Sequence, residues 1–538
     1  MAIKHGDHKQ FQLCFKKERE GCNINMNYKQ RLLLFLLFFN CYLVSHCAFS
    51  ETKVVNLVVG YKTVNFAGKN IQAIAVNNQI PAPTLHFKEG DHVVINVFNH
   101  LNEGTIIHWH GIILPWQMDG VEGISQPAIA PQKMFRYHFT IRQSGTYWYH
   151  AHAGFQEQQG LYGAFIIDPK IPSKFYDTKD FVMVLSDWSN TNPNQIFSNL
   201  KKDGDYYSPR FPLQASLFKF IHDYRQSNSA QKKLLLDDYN MMQHMRMGIY
   251  DLSDVAYDAF LLNGKPNAHP WTGLVKVGDI VRLRFIDAAA STNFHIKIPG
   301  HILQIIQVDG NDVRPIDVKH FFITPGETYD VLVKITHKTP TIIDAESSDT
   351  IGAAMGALIT HSNQTVNYKN VKLFHEPIPV TQEMMKNMNH LQQIKNMGDM
   401  KMSDHSMSSH KMNMTMQIEP SIGGDHAEKL SSLISTIKTN GTKYQDFISI
   451  HQTNNPKKSI AGVIRMELFG YMGQYIWMIN GLPEYKAKPI IFKSNDILKI
   501  YKVVPDKIWV NDDEKDENGK YVKDIKVEVP TEELKKLI

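Results

Sequence analysis

With 538 residues, 43% hydrophobic and 21% charged, the chain has the composition of a soluble globular protein and length for about three or four domains. Its formal net charge of +5 sits mostly in residues 1–50, where seven Lys/Arg face three Asp/Glu; the 51 basic and 50 acidic side chains that remain exclude the electrostatic footprint of a nucleic-acid binder. All four cysteines, Cys14, Cys22, Cys41 and Cys47, fall in that same stretch, so residues 48–538 hold no thiol and no disulfide.

Residues 1–50 read as a leader with an export signal. Lys29 and Arg31 precede the apolar run Leu32–Phe39, and small residues follow at Ser45, Ala48 and Ser50, which places cleavage near Ala48–Ser50. Asn40 interrupts the run well short of the ~20 apolar residues that a spanning helix needs, so no membrane association is expected after cleavage. The polar stretch ahead of Met26 is foreign to a signal, which makes Met26 an alternative start. VSHC, ending at Cys47, carries His46 where a lipoprotein box needs a small residue.

From Lys53 to Pro169, short β-rich runs such as VVINVF (Val93–Phe98) alternate with Gly, Pro and Asn turns, the pattern of a Greek-key β-sandwich over residues 51–170. Two strings within it stand out: IHWHGI, with His108 and His110, and YWYHAHAG, with His150 and His152. In an extended strand alternate side chains share a face, so each pair aims two imidazoles the same way while Trp109 and Ala151 point opposite. Four convergent imidazoles suit copper, although the same side chains could pack inside a sandwich or hold zinc. Spacing alone decides little, because 25 histidines in 538 residues produce about one His-x-His by composition.

The flanking text decides more. NNQIPAPTLHFKEGD (Asn77–Asp91), HWHGIILPWQMDGVEGISQ (His108–Gln126) and SGTYWYHAHAGFQEQQGLYGAFIIDP (Ser144–Pro169) resemble the multicopper oxidases, most closely their laccase-like bacterial periplasmic copper-resistance branch. The resemblance implies an all-β fold of tandem cupredoxin-like Greek-key β-sandwiches, a periplasmic location, and a copper-dependent oxidase with dioxygen as acceptor. It also implies a three-copper cluster of type 2 and type 3 sites. The first His-x-His of the family gives one ligand to each type and the second serves type 3 alone, which makes His108 the type 2 ligand and His110, His150 and His152 type 3 ligands. Electrons in that family enter through a type 1 copper and travel along a Cys-His path. A type 1 site takes a thiolate with two histidines, and no cysteine follows Cys47, so type 1 ligands are absent from these 538 residues.

A second sandwich is expected over residues 178–362. It opens with FVMVLSDWS (Phe181–Ser189) and resumes with YDAFLLNGK (Tyr257–Lys265), VGDIVRLRFID (Val277–Asp287) and GETYDVLVKI (Gly326–Ile335), the alternation ending near Thr336. Between these runs Phe197–Met247 reads as more helical, with charged and apolar residues interleaved. MMQHMRM (Met241–Met247) is either a Met-rich helix packing on a sheet or a copper-binding string.

Residues 380–420 form a low-complexity linker. Ten of the 23 methionines lie here, Met384, Met385, Met388, Met397, Met400, Met402, Met407, Met412, Met414 and Met416, together with His390, His405 and His410. The stretch is too polar to build a core. Thioether sulfur is soft, so the clustering suits Cu(I) capture, whereas a plain solvated linker would favour Gly and Ser.

Residues 460–538 read as a partial third cupredoxin domain. Val463–Val503 resembles that domain's opening strands, after which the family carries HPIHLHG-like and HCH strings. Residues 505–538 hold instead ten Asp/Glu, seven Lys and no histidine, with a turn at Asn518-Gly519, and the last histidine is His451. The strand-like IWV and KYVKDIKVEV of this tail could cap the unfinished sheet. Two readings follow. One is an oxidase acting on Cu(I) or phenolic substrates with dioxygen, catalytically incomplete because the chain is truncated; the other is a non-catalytic periplasmic protein that binds or sequesters copper ions.

Overall fold

The computed structural model of the protein describes residues 52–172, 178–203, 206–207, 210, 217–229, 231–233, 235–236, 253–368, 446–451, 462–471, 476–480, 482 and 498–503. The leader, the MMQHMRM string, the Met/His stretch 380–420 and the charged tail lie outside the described residues.

The first sandwich pairs two four-stranded sheets. One joins β1 (Thr52–Val64), β2 (Ile71–Val76), β4 (His92–Asn99) and β6 (Met134–Thr140) in the order β2-β1-β4-β6. The other joins β3 (Ala82–Lys88), β5 (Ile107–His110), β7 (Gly145–Ala151) and β8 (Tyr162–Asp168) in the order β3-β8-β7-β5. The strand period of two sorts the side chains: Val93, Ile95, Val97, Tyr137 and Phe139 of the first sheet bury against Leu85, Phe87, Trp109, Tyr149 and Phe165 of the second. Trp109 and Ala151 lie in that core, as the alternation around the His-x-His strings requires, and Trp109 meets Tyr137 edge-on at 5.1 Å.

The second sandwich is larger. Its six-stranded sheet runs β10 (Ala259–Leu262), β9 (Lys179–Trp188), β12 (Ile280–Asp287), β17 (Thr328–Lys334), β14 (Leu303–Val308), β15 (Asn311–Val318). Its five-stranded sheet runs β11 (Trp271–Leu274), β19 (Ala353–Ile359), β18 (Thr341–Ser347), β13 (Phe294–Lys297), β16 (His320–Ile323). β18 and β19 carry the fold past Thr336, where sequence alternation stops. Nearly every residue of both is buried, so they lack the polar beats of a half-solvated strand. Two helices, α1 (Pro193–Lys202) and α2 (Leu217–Gln226), fall in or beside the stretch read as helical, and the Asn192 side chain caps α1 by accepting from the Asn194 amide at 2.9 Å. In the region read as a partial third domain, the described strands β20 (Gly462–Tyr471), β21 (Ile476–Ile479) and β22 (Leu498–Val503) form one three-stranded sheet in the order β21-β20-β22.

The two large sandwiches share a packed seam. Trp148, Tyr162, Ala164 and Ile166 on the outer face of β7 and β8 bury against Val184, Ile286 and Ala288 of the second sandwich. This is why all seven residues of β7 are buried. Polar pins complete the seam: the Thr146 hydroxyl donates to Asp330 Oδ1 at 2.7 Å, and its amide donates to Gln307 Oε1 at 3.0 Å. Gly310 sits so close to Tyr147 that a Cβ there would fall 2.1 Å from the ring, at a backbone φ of +71° that favours glycine. The seam fixes β7, and β7 carries the histidines described next.

Candidate metal centre

β5 and β7 run antiparallel with His108 directly opposite His150 and His110 opposite Trp148. The His-x-His pairs thus meet across one strand boundary, on the face turned away from the core. The ring centroids of His108 stand 5.6 Å from those of His110, 5.5 Å from His150 and 5.2 Å from His152. His108, His110 and His150 each bring a ring nitrogen within 4.8 Å of the others, and His110 Nδ1 lies 3.3 Å from His150 Nε2. His152, just past the end of β7 and exposed, stands 5.8 Å from His150 by ring centroid and flanks the trio.

Two further ring nitrogens have outer partners, which sets those two tautomers. His108 Nδ1 lies 2.7 Å from the backbone carbonyl of Asp119 and donates to it, leaving Nε2 with its lone pair. His150 Nδ1 pairs with Glu157 Oε2 at 2.5 Å, which leaves its Nε2 facing His110. Such outer partners orient metal-ligating imidazoles and raise their basicity. Burial, followed by the mutual repulsion that charged rings would suffer, lowers His110 to about 4 and also lowers His152. Burial lowers His108 too, against the opposing pull of the Asp119 carbonyl. Neutral, converging imidazoles that need not shed a proton are a metal-ready donor set, and an all-nitrogen set suits copper.

The fold holds the rings in place from three sides. Trp148 stacks on His150 at 4.2 Å and on His110 at 4.9 Å, and its indole N–H donates to Gly326 O of the second sandwich at 3.3 Å. The turn carrying Asp119 is pressed onto β5: a Cβ at Gly120 would stand 1.8 Å from Ile107 O, at φ +76°. The loop carrying Glu157 is anchored next door by Gln156, which accepts from the Thr105 hydroxyl at 2.6 Å and donates to Gly104 O at 2.8 Å. Asp119, Glu157, Trp148 and Gly326 escaped the sequence reading. Asp119 acts through its backbone, Glu157 is one acid in a polar loop, and Gly326 arrives from another domain. All four site histidines named from the sequence fall in the described region, whereas the Met384–Met416 segment lies outside it.

One consequence is measurable. Glu157→Ala removes the acceptor that fixes His150, and Cu(II) affinity is expected to fall about 10–100-fold. Competition titration reads the loss, with far-ultraviolet circular dichroism expected to match the parent.

The chain matches the multicopper oxidase family description over residues 58–171 and again over residues 179–342. It is 34% identical over 495 residues to copper resistance protein A of Escherichia coli, covering 83% of this chain and 80% of that protein. Against the copper resistance protein A homolog of Pseudomonas syringae pv. tomato it is 32% identical over 521 residues, with 87% and 84% covered. Among solved structures the laccase from Botrytis aclada shares the fold, with a TM-score of 0.52 at 20% identity over 80% of this chain and 63% of that one. The chain belongs to the multicopper oxidase family, copper-dependent oxidoreductases with dioxygen as the electron acceptor.

Proposed function

We propose that His108, His110, His150 and His152 are the first-domain share of a type 2/type 3 copper cluster, with His108 on the type 2 copper. The protein then acts in copper resistance in the periplasm, oxidising Cu(I) or phenolic compounds with dioxygen. The observation that carries this reading is the register that sets His108 against His150 while Asp119 and Glu157 occupy their outer nitrogens. Copper bound there supplies one-electron redox chemistry toward dioxygen. The chain's own contribution is to hold His108, His110 and His150 convergent with His152 beside them, to tie two of them by carbonyl and carboxylate, and to seal one flank with Trp148 against the second sandwich.

A second reading, copper binding without turnover, is favoured by the residue inventory. No cysteine follows Cys47 and no histidine follows His451 within the 538 residues, so the donors that a third domain gives in the family are not among them. The ten methionines of residues 384–416 would then add Cu(I) capacity beside the half cluster. Loading the mature protein, residues 51–538 with no cysteine, with Cu(II) separates the readings by activity. Under either reading the spectrum lacks the intense blue thiolate-to-copper band, and under the binding reading oxygen uptake with phenols stays at the level of free copper controls. Clear uptake above those controls would sink that reading and assign turnover to this chain alone.

A further inference from the structure

We propose that a pocket on the outer face of β4 and β6 is a second, mononuclear copper site, holding Cu(I) between His92, His138 and Met118. The cavity measures about 380 Å³ and is lined by these three residues with Gln117, Thr140 and Arg142 among their neighbours. It lies on the opposite sheet from the four-histidine cluster and shares no side chain with it.

The placement follows from register. His92 pairs with Thr140 and Val94 with His138, so His92 and His138 sit diagonally on one face, within reach of each other for long side chains. The pleat that sends Val93, Phe139 and Tyr137 into the core sends both imidazoles outward. His92 Nδ1 lies 3.2 Å from the Thr140 hydroxyl; when Nδ1–H donates there, Nε2 keeps its lone pair. Met118 comes from a separate element, the 3-10 turn Trp116–Met118, which its own amide closes by donating to Pro115 O at 2.8 Å. The side chain is half-buried against the core of the first sandwich. The turn continues into Asp119, whose carbonyl holds His108, so the pocket and the cluster are joined by one short stretch of backbone.

The donor chemistry selects the ion. Two imidazoles and a thioether are soft to borderline ligands, and the lining residues include no carboxylate, which disfavours Ca²⁺ and Mg²⁺. Arg142 lines the same pocket, and its positive charge repels a divalent ion twice as strongly as a monovalent one. Cu(I) satisfies both conditions. The identity of the ion rests on the copper-handling reading above; the grouping of the donors does not.

Carbethoxylation of histidines in the full chain, mapped by peptide mass spectrometry, tests the site residue by residue. With Cu(I) supplied at about ten times its Kd, labelling of His92 and His138 should slow about tenfold, because only the free fraction reacts. Met118→Leu should restore labelling at both, and His138→Asn should restore it at His92. Cu(II) protection of the four-histidine cluster serves as the internal control in all three proteins. Protection that survives Met118→Leu overturns the proposal, and so does protection by inorganic phosphate without copper, which would make this an anion pocket. Loss of protection at the cluster as well as at the pocket would instead overturn the copper reading of the whole protein.

Discussion

A chain carrying alanine at His108, His110, His150 and His152 is expected to bind Cu(II) at neutral pH at least about a hundredfold more weakly than the parent, since loss of outer partners alone costs 10–100-fold. These side chains supply every ring nitrogen of the converging set, and copper has no thiolate to fall back on after Cys47. The same variant changes the acid response of the copper-free protein. Burial holds His110 near 4 in the folded state, against 6.5 when exposed, and lowers His108 and His152 as well. Above pH 6.5 neither state takes up the proton. As pH falls below 6.5 the unfolded chain protonates first, so the copper-free parent loses stability until the folded-state value near 4 is reached. The alanine variant should lose less over that window. His295, pushed down to about 3 by burial beside His320 and Lys297, remains in both proteins and leaves a common residual slope. Competition titration at pH 7 and urea unfolding across the acid range check both halves, and unchanged Cu(II) affinity in the variant would refute the site.

Asp330→Ala is expected to cost about 3–5 kcal/mol, the range for breaking a buried ion pair and leaving its cationic partner uncompensated. Asp330 has a side chain with no exposure, and it receives Arg282 through Nε at 3.0 Å and through a second bond from Nη2. Arg284 reaches it at 3.3 Å and the Thr146 hydroxyl at 2.7 Å. Both guanidiniums are buried, with side chains 10% and 5% exposed, so water cannot take the place of the lost carboxylate. Arg284 keeps Asp180, whereas among the described residues the ion pairs give Arg282 no second carboxylate. Thr146 lies in β7, the strand that carries His150, so copper retention should weaken along with stability. Arg210→Ala, which removes a pair whose arginine is 48% exposed, provides the contrast and should stay within about 1 kcal/mol. Equal shifts of the two urea midpoints would show that the buried network contributes no more than a surface pair.

The shared facing of His108 with His110, the burial of Trp109 between them, and the strands β4, β9, β12 and β17 were all legible in the sequence. Each follows from a local rule, the period of two along an extended chain, and the flanking strings carried the family. Local rules stop at the edge of a strand. That His108 faces His150 rather than some other residue depends on the register of β5 on β7, which core packing sets across the whole sandwich. That Trp148 and Tyr162 are buried as deeply as core residues depends on a second domain arriving over β7 and β8, and β18 and β19 went unnamed because burial on both faces erases alternation. The sequence by itself determined which donors are present and which way each pair points along its strand. Tertiary structure alone decided which ring nitrogens keep their lone pairs and how the rings are held, because a backbone carbonyl at Asp119 and a loop carboxylate at Glu157 reach the imidazoles, and the turn at Gly326 reaches the Trp148 indole stacked on them, from other segments of chain, and no periodic pattern records an approach of that kind.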